Sequence, residues 1–109
     1  MIRGGLVTLS VADVGRAVRF YVETLGLKLI EDGGEDGCVV DAGEGFRIRL
    51  SRGRPAAGSA VTLLSKVPID EAIAIYENRG VTFVVERSER GTVAELRDPD
   101  GNALRLAQG

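Results

Sequence analysis

The chain writes nearly the same unit twice. Leu6-Val7-Thr8-Leu9, an amphipathic stretch and Gly26 recur as Ala60-Val61-Thr62-Leu63, an amphipathic stretch and Gly80, each displaced by 54 positions. The tails repeat too: Gly45-Phe46-Arg47-Ile48-Arg49-Leu50 aligns with Gly101-Asn102-Ala103-Leu104-Arg105-Leu106, displaced by 56. In 109 residues there is room for one domain with a modest core. A unit half that long is too small to close its own core. Two copies must therefore pack together, and their junction is the natural site for a ligand.

Each copy reads strand–helix–strand–strand–strand. Residues 6–11 alternate, with Val7, Leu9 and Val11 on one face and Leu6, Thr8 and Ser10 on the other. Asp13 suits a helix N-cap, and Val14, Ala17, Val18, Tyr21 and Leu25 form the first apolar stripe. Gly26 supplies the stop. Strands follow over 27–31, 38–41 and 46–51, separated by turns at 32–37 and 42–45. In the second copy we expect strands over 60–64, 81–86, 92–97 and 103–107, with Pro68 opening a helix whose stripe is Ile69, Ala72, Ile73 and Tyr76. We read module one as 5–52, a linker as 53–58 and module two as 59–108, within one domain spanning 1–109. Each helix should cover one sheet face. The opposite faces, carrying Leu6, Thr8, Ser10, Arg47, Arg49, Ser51, Ala60, Thr62, Leu64, Ala103, Arg105 and Ala107, should form a trough.

Composition excludes several classes of chemistry. The chain has no histidine and one cysteine, so Ser-His-Asp and Cys-His machinery, histidine-containing metal sites and an internal disulfide are all ruled out. Any general acid or base would be Asp, Glu, Tyr, Cys or Lys. We expect Cys38 to be a half-buried strand residue. A net charge of −2 leaves no basic footprint, so no nucleic-acid partner is expected. No apolar run approaches the roughly 18 residues of a membrane span, and the amino terminus lacks a signal-peptide core, so the expected location is cytoplasmic, with no membrane partner.

Three segments carry a family resemblance: Val7-Thr8-Leu9-Ser10-Val11-Ala12-Asp13, Arg19-Phe20-Tyr21-Val22-Glu23-Thr24-Leu25-Gly26-Leu27, and Arg97-Asp98-Pro99-Asp100-Gly101-Asn102-Ala103-Leu104-Arg105-Leu106. In this order and spacing they resemble the vicinal oxygen chelate superfamily, the group of glyoxalases, bleomycin-resistance proteins and extradiol dioxygenases. The resemblance implies an α+β fold of two tandem βαβββ modules forming a cupped mixed sheet, assembled as a homodimer. It also implies one divalent metal, held at positions that correspond here to Leu6, Arg49, Ala60 and Arg105. Leucine and alanine cannot ligate, and arginine offers only donors. No metal and no cofactor are therefore expected, and the metal-dependent reactions of the family are in doubt. Some relatives bind bulky drugs such as bleomycin and sequester them.

The expected function is metal-independent binding of a small molecule in the trough. Arg49 and Arg105, at equivalent positions, would grip an anion bidentately. Arg47, Thr8, Ser10 and Thr62 would add donors, with Leu6 and Ala60 lining the wall. In the bland alternative, each arginine pairs with a neighbouring carboxylate or snorkels into solvent. A glyoxalase-, lyase- or dioxygenase-like enzyme with an atypical site, and a structural domain with a vestigial trough, are the competing functions. Tyr21 is expected in the core with its hydroxyl at the edge, and Asp98 and Asp100 as backbone caps within their turn. A poverty of aromatics, 5% with no tryptophan, weighs against a stacking site for flat drugs.

Overall fold

Alternation decides which side of each strand faces inward, and two helices decide what covers it. The computed structural model describes Met1, residues 4–54 and residues 60–109. The linker residues Pro55 to Ser59 lie outside the described residues, as does the side chain of Ala60. Strand β1 (Gly5–Val11) leads into helix α1 (Val14–Val18), which continues as a wider π-helical segment (Arg19–Thr24). Strands β2 (Lys28–Asp32), β3 (Gly37–Gly43) and β4 (Phe46–Arg52) complete module one, with a short 3₁₀ turn at Gly34–Asp36. Module two consists of β5 (Ala60–Ser65), α2 (Ile69–Asn78), β6 (Val84–Ser88), β7 (Gly91–Arg97) and β8 (Ala103–Gln108). The α+β, twofold βαβββ plan is thus present.

The two modules have the same topology. Their sheets run β1-β4-β3-β2 and β5-β8-β7-β6, with β1–β4 and β5–β8 parallel and the other pairs antiparallel. Among the described residues no ladder joins the sheets, so the cup consists of two four-stranded pieces.

Helix signals act as read. The Asp13 carboxylate accepts from the Arg16 N–H at 3.0 Å and caps α1. Gly26 and Gly80 have φ of +82° and +92°, the left-handed conformation that lets each helix stop. Two segments differ from expectation. In α1 the Leu25 N–H reaches back five residues to the Phe20 carbonyl at 2.9 Å, and the wider turn keeps both Tyr21 and Leu25 buried. Strand β6 starts at Val84 rather than Val81, because the Val81 N–H bonds to the Tyr76 carbonyl at 3.0 Å and belongs to the helix end.

One core serves both modules. Leu9, Val11, Ile48 and Leu50 pack beneath Val14, Ala17, Tyr21 and Leu25, and the same cluster takes in Val61, Val81, Leu96 and Leu104 from module two. A smaller cluster of Ala72, Ile73, Ala94 and Leu106 lies under α2. The modules therefore share apolar packing through their helix-facing sides. The opposite faces stay open to solvent, with Leu6 and Leu64 exposed.

Candidate functional site

The Asp98-Pro99-Asp100-Gly101-Asn102 turn does more than cap itself. Asp98 Oδ1 accepts from the Asp100 and Asn102 N–H groups at 3.0 and 2.8 Å, the expected local role. Asp98 Oδ2 accepts from the Tyr21 hydroxyl at 2.8 Å and from Asn102 Nδ2 at 2.9 Å. Asn102 Nδ2 also donates to the Ser10 carbonyl at 3.0 Å. Asp100 Oδ1 accepts from the Ala12 N–H at 2.8 Å and from Arg16 at 2.9 Å. This turn of module two thus locks the end of β1 and the start of α1 in module one. Tyr21 is in the core as expected, but its hydroxyl is buried too rather than at the edge, because it finds a carboxylate from the other module. Burial and the nearby Asp98 hold its pKa far above the ordinary tyrosine value. Cys38 is likewise buried rather than half-buried, and burial, helped by Asp32, raises its thiol pKa.

The residues singled out for binding lie on the open faces. Thr8, Arg47, Arg49, Thr62 and Arg105 are exposed and Ser10 is half-buried. Leu6 is exposed beside Arg47, and the backbone of Ala60 pairs with Ala103. Among the described residues neither Arg47, Arg49 nor Arg105 lies within ion-pair distance of a carboxylate.

Strand register arranges these groups in two rows running across the sheets. In module one the row is Thr8, Arg49, Val39, Glu31, each residue directly opposite the next on adjacent strands. In module two it is Thr62, Arg105, Glu95, Val84. Residues directly opposite share a face, so each row lies on one side of its sheet. The duplication therefore preserves the hydroxyl beside the guanidinium and exchanges the next two positions. Arg105 faces a carboxylate (Glu95, which also accepts from Arg97 at 3.2 Å), whereas Arg49 lies between a threonine and a valine. Arg47 lies opposite Asp41, whose Oδ1 accepts from the Gly43 N–H at 2.7 Å. Arg49 is thus the one of the three with no carboxylate directly opposite it on a neighbouring strand.

Two surface cavities follow. One of about 440 Å³ is lined by Arg49, Ser51, Val39, Gly37, Glu31 and Asp36, at the β2–β3 end of module one. The other, about 560 Å³, lies between the end of the π-helical segment and β7, and contains Phe20, Thr24, Arg79, Thr82, Val84 and Arg97. Its guanidiniums are already engaged: Arg79 donates to the Thr24 carbonyl at 2.9 Å and stands over the Tyr76 ring, and Arg97 donates to Gly101 and Glu95. Arg105 lines neither cavity, so neither unites the two equivalent arginines.

The sequence model of the Glyoxalase/Bleomycin resistance protein/Dioxygenase superfamily matches residues 5–106. The chain belongs to this superfamily. TnmS3, an antibiotic binding protein from Streptomyces sp. CB03234, is 26% identical with a TM-score of 0.83, the match covering 99% of this chain and 96% of that one. The bleomycin-binding protein of Streptomyces verticillus, solved with copper(II)-bleomycin, is 26% identical with a TM-score of 0.76, covering 100% of this chain and 98% of that one. Virulence protein STM3117 of Salmonella typhimurium is 25% identical over 92% of this chain and 79% of its own length.

Superfamily membership raises the question of a metal, and the donor set does not fit one. The matching positions are Leu6, Arg49, Ala60 and Arg105, none of which can offer a lone pair to a cation. Among the described residues no three Asp, Glu, His or Cys side chains come together.

Two features of the site escape a linear reading. Glu31 joins the Arg49 row only because β2 slips by a bulge between Leu29 and Glu31. The 3₁₀ turn then brings Asp36 to the same cavity. The acidic run 31–36 was the available signal, but read alone it describes only a solvated turn.

Proposed function

We propose that this superfamily member is a metal-independent small-molecule binding protein whose ligand presents an anionic group to the open sheet faces. The carrying observation is Arg49. Its guanidinium stands on a solvent-facing sheet, flanked by Thr8 and Val39, with no carboxylate partner among the described residues. An arginine so placed contributes little to stability, yet offers a planar fork suited to a carboxylate or phosphate. Arg105 and Thr62 repeat the pair in module two and would make a weaker contact, because Glu95 stands opposite. Thr8, Ser10 and Thr62 would donate hydroxyl hydrogen bonds, Arg47 would add positive potential, and Leu6 would meet the apolar part of the ligand.

The single domain, built from 5–52, 53–58 and 59–108, would act as a cytoplasmic homodimer. Shared packing within a chain uses the helix-facing sides, which leaves the open faces for a second copy to enclose a trough. TnmS3 and the Streptomyces verticillus protein, which their names describe as binding an antibiotic and bleomycin, support binding over catalysis. So does the lack of histidine.

The test uses 8-anilinonaphthalene-1-sulfonate, an anion with an apolar body, titrated by fluorescence with excess EDTA present. Saturable binding should be insensitive to the chelator. Arg49→Ala should weaken it about tenfold, the equivalent of one charge-assisted pair, and Arg105→Ala less. Unchanged affinity in the double variant, or loss of binding with EDTA, would sink the proposal. A monomer at all concentrations in sedimentation would remove the dimer.

A further inference from the structure

The geometry points to a zwitterionic ligand in module one: an anionic group on Arg49 and a cationic group, an ammonium or guanidinium, on Glu31 and Asp36. This rests on the proposed anion contact at Arg49 and extends it. The cavity of about 440 Å³ holds both signs of charge on its wall, Arg49 and the carboxylates Glu31, Asp32 and Asp36, of which Asp32 already accepts from the Gly34 N–H at 2.9 Å. Arg49, Glu31 and Asp36 are exposed, and among the described residues none forms a salt bridge or a side-chain hydrogen bond. The opposite charges share a wall without meeting across the sheet. Arg49 is on β4 and Glu31 on β2, with Val39 of β3 directly between them. Two strand spacings put their backbones about 10 Å apart. Val39 is almost fully buried although it belongs to the open face, so the floor between the charges is apolar and closed.

The chemistry of the ligand follows from that order: an acid end, an aliphatic middle long enough to cross the row, and a basic end. Ser51, opposite Gly37 at the same cavity, can donate a hydroxyl hydrogen bond to the acid end. Gly37 leaves that wall without a side chain. Module two is unsuited to the same ligand. There the carboxylate, Glu95, stands directly beside Arg105 and accepts from Arg97, and exposed Val84 takes the far position. Duplication has therefore produced one row with separated charges and one with adjacent charges, and only the first can bridge a ligand.

Three eight-carbon probes separate the contributions. 8-Aminooctanoate carries both charges at about the required spacing, octanoate only the acid and octylamine only the base. Binding is read by isothermal titration calorimetry at low ionic strength, where Coulomb contacts are least screened. 8-Aminooctanoate should bind about tenfold tighter than either single-charge probe, the increment of one further charge-assisted contact. Glu31→Gln combined with Asp36→Asn should reduce its affinity to that of octanoate while leaving octanoate unweakened. Arg49→Gln should abolish the binding of octanoate and reduce that of 8-aminooctanoate to the level of octylamine. If octanoate binds as tightly as 8-aminooctanoate to the unaltered protein, the zwitterionic inference is overturned and the anion contact stands. If neither acid binds, both fall.

Discussion

The Tyr21 hydroxyl donates to Asp98 Oδ2 at 2.8 Å, a buried contact between residues 77 positions apart that ties the first helix to the last turn. It joins the two modules at the point where the core is shared, so its loss should be felt by the whole molecule.

Tyr21→Phe leaves Asp98 Oδ2 with Asn102 Nδ2 as its remaining partner among the described residues. Under-satisfying a buried carboxylate costs about 1–3 kcal/mol. Urea unfolding should show a lower midpoint with an unchanged slope. An unaltered midpoint would mean that the bond contributes nothing.

Asp98→Ala removes the acceptor for four donors: the Asp100 and Asn102 N–H groups, the Asn102 side chain and Tyr21. The loss should exceed that of Tyr21→Phe, at about 3–5 kcal/mol, in the range of a broken buried network. The double variant should be less destabilised than the sum of the singles, by 0.5 kcal/mol or more, since both remove the same contact. Additive losses would show that the two groups act independently.

Alkali should unfold the protein through Tyr21. Burial and the neighbouring Asp98 hold its folded-state pKa far above the ordinary tyrosine value, so the folded form prefers the neutral phenol. Stability from this group is fully present below about pH 10 and falls as the unfolded chain begins to ionise above it. Urea midpoints measured between pH 8 and 11 should therefore fall more steeply for the parent than for Tyr21→Phe. Parallel curves would contradict the assignment.

Cys38 should resist alkylation. Burial and Asp32 raise its thiol pKa, and the thiolate is the reactive form. Iodoacetamide near pH 8 should label the native protein far more slowly than the urea-unfolded chain. Equal rates would show that β3 opens readily.

Gly26→Ala and Gly80→Ala should each cost about 1 kcal/mol, because an alanine in the left-handed region crowds its own backbone. Asparagine at either position should cost less. Thermal melts of the four variants would check the order, and an alanine variant as stable as the parent would refute it.

Much of the fold was legible because it depends on neighbours in the chain. Alternation in 6–11 and 46–51 sorted Leu9, Ile48 and Leu50 into the core and Thr8 and Arg49 onto the open face, as observed. Asp13 and Gly26 marked helix ends through their own capping and φ preferences. What failed needed partners far away. The burial of the Tyr21 hydroxyl depends on a carboxylate in the other module, and the start of β6 depends on where the preceding helix used the Val81 N–H.

By itself, then, the sequence determined the twofold module plan, the inward and outward faces of its strands and the absence of any histidine chemistry, because periodicity and composition are properties of the chain. Only the tertiary structure decided that Arg49 stands between Thr8 and Val39 while Arg105 faces Glu95. Strand register is set by pairing between distant segments, with bulges that local pattern does not announce, and register is what gives two like arginines unlike surroundings.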